Sequence, residues 1–114
     1  MTSEASAETT LGFAFAARLD DLEPGTLRGV VVDGARVCLA RVGDEVFALA
    51  DQCPHAAFPL SEGDLLADGR VQCAWHGARF DLRTGAACGL RTNVPATRYD
   101  VQLRNGDVYV KPRR

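Results

Sequence analysis

Histidine is scarce in this chain, and so is everything that would place it among membrane or nucleic-acid proteins. There are two histidines, one tryptophan and one methionine in 114 residues. No apolar run is long enough to span a bilayer as a helix, which excludes that form of anchoring. Basic residues are not clustered. Thirteen Lys and Arg against 15 Asp and Glu leave a formal net charge of −2 with interspersed signs, whereas a nucleic-acid surface needs a concentrated basic face. The opening residues, Met1 to Thr10, lack the basic start and apolar centre of an export signal, so a cytoplasmic location is expected. In that reducing setting the four cysteines are expected to stay as thiols, open to metal ligation, and not to close into two disulfides.

What remains is an ordinary globular composition. Apolar residues make up 46% and charged residues 25%, which excludes disorder as the state of the whole chain, and the length suits one domain. Residues 1–10 are small, polar and aperiodic, and read as a disordered N-terminal tail. Residues 11–112 read as a single domain.

The pattern from Phe13 onward is that of short strands. Phe13–Arg18, Leu27–Val32, Val37–Val42 and Val46–Ala50 are apolar or alternating and are bounded by Leu22-Glu23-Pro24-Gly25, Asp33-Gly34 and Gly43-Asp44. Arg70–Cys73 and Arg79–Leu82 form a second group. Tyr99–Leu103 and Val108–Lys111 flank Asn105-Gly106, the strongest hairpin signal in the chain. Pro59, Gly63 and Asp68-Gly69 exclude a long helix between the groups and leave room for a short helical turn. Many short strands with close turn signals predict an all-β fold, a small antiparallel sandwich or barrel.

Both histidines and two of the cysteines fall within one stretch. Cys53-Pro54-His55 opens it and Cys73-Ala74-Trp75-His76 closes it, with a spacer of 17 residues, 56–72, that has no further Cys or His. Two thiolates and two imidazoles satisfy a tetrahedral zinc ion. Structural zinc sequences, however, usually pair like ligands in each arm, and here each arm is mixed. Mixed arms suit a two-metal cluster in which one iron takes both sulfurs and the other both nitrogens. The expected arrangement is two loops, at hairpin ends, that hold the centre at one tip of the β scaffold.

These arms, with Pro59-Leu60-Ser61-Glu62-Gly63, Phe80-Asp81-Leu82-Arg83-Thr84-Gly85 and Asp107-Val108-Tyr109-Val110, resemble the Rieske family, and within it the small ferredoxins of bacterial ring-hydroxylating oxygenase systems. The resemblance spans roughly Phe13 to Lys111. It implies a Rieske-like β fold with a cluster-binding subdomain of two loops at one tip. It also implies a [2Fe-2S] cluster, with Cys53 and Cys73 on one iron and His55 and His76 on the other. Two thiolates neutralise an oxidised core of two ferric ions and two sulfides, so reduction is easier than with four thiolates. High-potential respiratory members are similar to one another in carrying a disulfide between the cluster loops and a Ser after the second His-Gly. This sequence has Ala78 after His76-Gly77 and no third cysteine in either loop, which implies a low potential.

The other cysteines read as bystanders: Cys38 as core filling on a strand, Cys88 as a fortuitous thiol. Trp75 and Pro95 read equally as cluster cover or as ordinary packing and turn residues. No catalytic nucleophile or acid/base pair emerges, so no enzyme activity is expected. The resemblance implies an electron carrier between a flavin-dependent ferredoxin reductase and a terminal oxygenase of the aromatic-ring dioxygenase type. The carrier would be a monomer that docks transiently at its cluster tip. Phe58, Leu60 and Trp75 are expected to offer apolar contact there, and Arg79, Arg83 and Glu62 to set the charge match. The alternatives are a small Rieske subunit of a multisubunit redox enzyme such as nitrite reductase, or a redox or iron sensor.

Overall fold

The computed structural model describes residues 12–54, 58–74, 77–88 and 94–112. The tail expected over 1–10 lies outside the described residues. The elements in chain order are β1 (Ala14–Arg18), a 3-10 turn (Leu19–Asp21), β2 (Thr26–Val32), β3 (Ala35–Val42), β4 (Glu45–Ala50), a second 3-10 turn (Leu60–Glu62), β5 (Asp64–Leu65), β6 (Arg70–Gln72), β7 (Arg79–Asp81), β8 (Ala87–Cys88), β9 (Arg98–Arg104) and β10 (Asp107–Pro112). Every strand pairing is antiparallel. The all-β expectation holds.

Two sheets result. The larger has the order β1-β10-β9-β4-β3-β2, and the smaller, β5-β6-β7-β8, is inserted in sequence between β4 and β9. The end strands of the larger sheet, β1 and β2, lie against each other, so that sheet is nearly closed. Two of its hairpins follow from local chemistry. Asp33 and Gly34 have φ of 50° and 82°, and Asn105 and Gly106 have 52° and 80°. Positive φ at both central residues is the backbone that matches the twist of a two-residue hairpin, and Asp-Gly and Asn-Gly are the pairs that tolerate it.

The side-chain alternation of β3 explains where the cores sit. Val37 and Leu39 face a core shared with Val32, Ala48, Val108 and Val110 inside the nearly closed sheet. Cys38 and Ala40 face the opposite way, into a core with Leu49, Cys53, Leu60, Val71, Cys73 and Phe80. Successive residues of a strand point to opposite faces, so a strand buried on both sides reads as a continuous apolar run. Val37-Cys38-Leu39-Ala40 is such a run. The second core joins the two sheets, and both cysteines of the mixed arms belong to it.

Three elements were not legible in the sequence: the 3-10 turn Leu19–Asp21 and the two-residue strands β5 and β8. Segments this short carry no periodicity; they exist because neighbouring backbone pairs with them. One expectation needs correction. The second cysteine loop does cap a hairpin, between β6 and β7. The first does not: β4 pairs with β3 and β9, and the chain after it crosses from the larger sheet to the smaller.

Candidate metal centre

Cys53 lies three residues beyond the end of β4, and Cys73 follows β6 directly. Both are completely buried, at 0% exposure. The two loops are closed by the same device. Cys53 N–H donates to Phe58 C=O at 2.8 Å, and Cys73 N–H donates to Ala78 C=O at 2.7 Å. Each cysteine thus opens a loop pinned five residues later, and each sulfur is held where the loop leaves its scaffold. His55 and His76, the other two expected ligands, lie outside the described residues, as does Trp75.

The first loop has a further anchor. Asp51, two residues before Cys53, is a buried carboxylate. It accepts hydrogen bonds from Ser61 N–H and from Ser61 Oγ–H, both at 2.7 Å, so the two ends of segment 51–61 are tied together. Asp51 N–H also donates to Arg36 C=O on β3 at 3.0 Å, which ties that end to the larger sheet. Gly29 on β2 sits over the pair: a β-carbon there would stand 2.7 Å from both Asp51 Oδ2 and Ser61 Oγ.

The second loop is approached closely by Gly63. A β-carbon at that position would overlap the Gln72 carbonyl oxygen and come within 3.2 Å of Ala74 N, the residues on either side of Cys73. No local feature of the sequence marks Asp51, Ser61, Gly29 or Gly63 for these parts. Along the chain Gly63 reads as a helix breaker, and contacts between Gly29 and residues 22 and 32 positions downstream leave no local pattern.

The remaining expectations sort themselves by burial. Leu60 is corrected: at 0% exposure it is part of the joining core and offers nothing to a partner. Phe58 is partly buried and packs on that core. Arg79 is exposed and its Nε donates to Gln72 Oε1 at 2.8 Å. Arg83 is exposed but turned toward the larger sheet, 3.1 Å from Glu45 Oε1 and 5.0 Å from the centre of the Phe47 ring. Glu62 is exposed. Cys38 is core filling as expected, and burial first, then the nearby Asp51 charge, push its thiol up to about 12. Cys88 is half-buried on β8, its Sγ 3.5 Å from Ala86 O.

Comparison with known proteins decides what this geometry belongs to. The sequence profile described as the Rieske [2Fe-2S] domain matches residues 13–103. The chain belongs to the Rieske [2Fe-2S] domain family. Its cofactor is accordingly a Rieske-type [2Fe-2S] cluster. The Rieske chain is 38% identical over 91 residues to Ferredoxin CarAc of Metapseudomonas resinovorans, covering 79% of this chain and 84% of that one. Among solved structures it is similar to the ferredoxin of carbazole 1,9a-dioxygenase from Nocardioides aromaticivorans IC177, with a TM-score of 0.84, 36% identity, and 89% and 98% of the two chains covered. It is also similar to a chain in a complex of reduced oxygenase and oxidized ferredoxin in carbazole 1,9a-dioxygenase, with a TM-score of 0.81, 32% identity, and 90% and 96% covered. The residues present fit the cluster. Thiolate sulfur is the soft donor that iron–sulfur centres require, and two cysteines lie fully buried in one core, on two loops of the same closure. No helix among the described residues is long and apolar enough to cross a membrane.

Proposed function

We propose that this Rieske protein is a low-potential ferredoxin that carries single electrons from a flavin-containing reductase to a terminal oxygenase of the aromatic-ring dioxygenase type. The observation that carries this reading is coverage. The chain matches two relatives named as ferredoxins over 84% and 98% of their length, and one similar chain comes from a complex of reduced oxygenase and oxidized ferredoxin. A relative that works as a separate component supports a carrier over a catalytic subunit. Residues 11–112 form the single carrier domain, in the cytoplasm, working as a monomer.

Cys53 and Cys73 bind one iron through their thiolates, and His55 and His76 bind the other through neutral imidazoles. When bound, a cluster held in this way supplies reversible one-electron chemistry. The joining core keeps both sulfurs away from water, and a backbone hydrogen bond closes each of the two loops. Ala78 brings no hydroxyl to the second loop, which supports the lower potential. Docking at the cluster tip buries little surface, so association is weak, transient and sensitive to salt.

The test is a two-stage one on the purified holo-protein. Iron and sulfide analysis with EPR of the dithionite-reduced form is expected to show two irons and two sulfides per chain and a Rieske signal, where zinc would be silent. Rapid-mixing experiments are then expected to show reduction by a flavin-containing ferredoxin reductase and reoxidation by a ring-hydroxylating oxygenase. Stable co-purification with a large redox subunit, with no turnover as a separate component, would replace the carrier reading with that of an enzyme subunit.

A further inference from the structure

Asp51 is a buried charge whose ion partner does not account for its position. Arg36 Nη2 stands 3.9 Å from Asp51 Oδ2, and the Arg36 side chain is 66% exposed against 1% for Asp51. A long, solvated contact of this kind holds nothing firmly in place. Ser61 supplies the firm contacts, with two short hydrogen bonds onto one carboxylate. Gly29 provides the room: with any side chain on β2 at that position, the carboxylate and the hydroxyl would have to move apart or outward. The pair therefore occupies a seat made for it by a missing β-carbon.

Its place in the chain gives the seat a consequence. Segment 51–61, closed by the pair, contains Cys53 and His55. Two residues after Ser61, Gly63 rests on the backbone that flanks Cys73. A displacement of Ser61 is thus passed on to both ligand loops, to the first through Asp51 and to the second through Gly63. We infer that the Asp51–Ser61 pair, seated against Gly29, is a positioning unit that sets the spacing of the two ligand loops and through it the electronic properties of the bound cluster.

This inference rests on the reading of Cys53, His55, Cys73 and His76 as ligands, and the test keeps the two apart. The wild-type holo-protein is examined first by EPR in the reduced state; absence of a Rieske signal there would defeat the ligand reading itself. With that signal present, Ser61→Ala removes one hydrogen bond to the carboxylate, and Gly29→Ala unseats the pair without deleting any polar group. Both are expected to shift the g values of the reduced protein and its midpoint potential, properties that a merely stabilising contact would leave unchanged. Wild-type g values and potential in Ser61→Ala, with only the unfolding temperature lowered, overturn the inference. Where Ser61→Ala does not accumulate with its cluster, Gly29→Ala decides by the same two readouts.

Discussion

Gly63 lies against the carbonyl of Gln72 so closely that a β-carbon at position 63 would overlap its oxygen. The contact joins the end of the 3-10 turn Leu60–Glu62 to the strand that delivers Cys73. It is a matter of space and not of backbone conformation, because Gly63 has φ of −88°, which any residue adopts. Gly63→Ala is therefore expected to lower stability by about 1–3 kcal/mol, the usual range for overpacking, and to reduce the iron and sulfide bound per chain. Thermal unfolding and metal analysis of the purified variant check this, and wild-type values in both would show that the contact relaxes freely.

Leu60 separates two readings of the same residue. As part of a docking tip, its truncation would weaken partner binding and leave the fold intact. As a fully buried member of the core between the sheets, Leu60→Ala is expected to cost about 2–5 kcal/mol of stability. Chemical denaturation followed by circular dichroism measures the loss. A change within about 0.5 kcal/mol, the range for ordinary surface substitutions, would return Leu60 to the surface.

Cys38 gives a pH dependence with a definite sign. Its thiol is raised from 9.0 to about 12, by burial first and by Asp51 second. The unfolded chain therefore releases this proton at lower pH than the folded one. The stabilisation is fully present below about pH 9 and is lost as pH rises toward about 12. At pH 9 to 10 an alkylating reagent is expected to modify the half-buried Cys88 and to spare Cys38 until the protein unfolds. Labelling of Cys38 in the folded state at that pH, read by peptide mass spectrometry, would contradict the burial argument. Cys38→Ala is expected to be less stable at neutral pH and to lose less stability between pH 9 and 11.

The proposed ligand set of two cysteines and two histidines carries an electrostatic signature. Replacing a neutral imidazole by a thiolate adds one negative charge to the centre, so His55→Cys or His76→Cys that still assembles is expected to have a lower midpoint potential than the wild type. Voltammetry of the two variants measures it. A potential equal to or above the wild-type value would contradict the assignment of two neutral ligands.

Much of this protein is readable along the chain because its signals are local. The Asp33-Gly34 and Asn105-Gly106 hairpins follow from which residue pairs accept positive φ at adjacent positions. The two-sided burial of β3 follows from the unbroken apolar run of its middle residues. The two candidate arms stand out along the chain because Cys and His are rare residue types, gathered here within 24 residues of sequence, 53–76. Leu60 is the converse case: next to Pro59 in an irregular segment it has no period to show which way it faces.

The sequence alone determined the all-β class, the principal turns and the two mixed arms, since each depends on residues a few positions apart and on donor chemistry that no fold alters. Only the tertiary structure decided that the first arm bridges two sheets while the second caps a hairpin, that Leu60 is core, and that Asp51 and Ser61 close on each other beneath Gly29. Those are contacts between segments distant in sequence, chosen by packing space, and the absence of a β-carbon at Gly29 and Gly63 acquires its meaning only when another part of the chain arrives there.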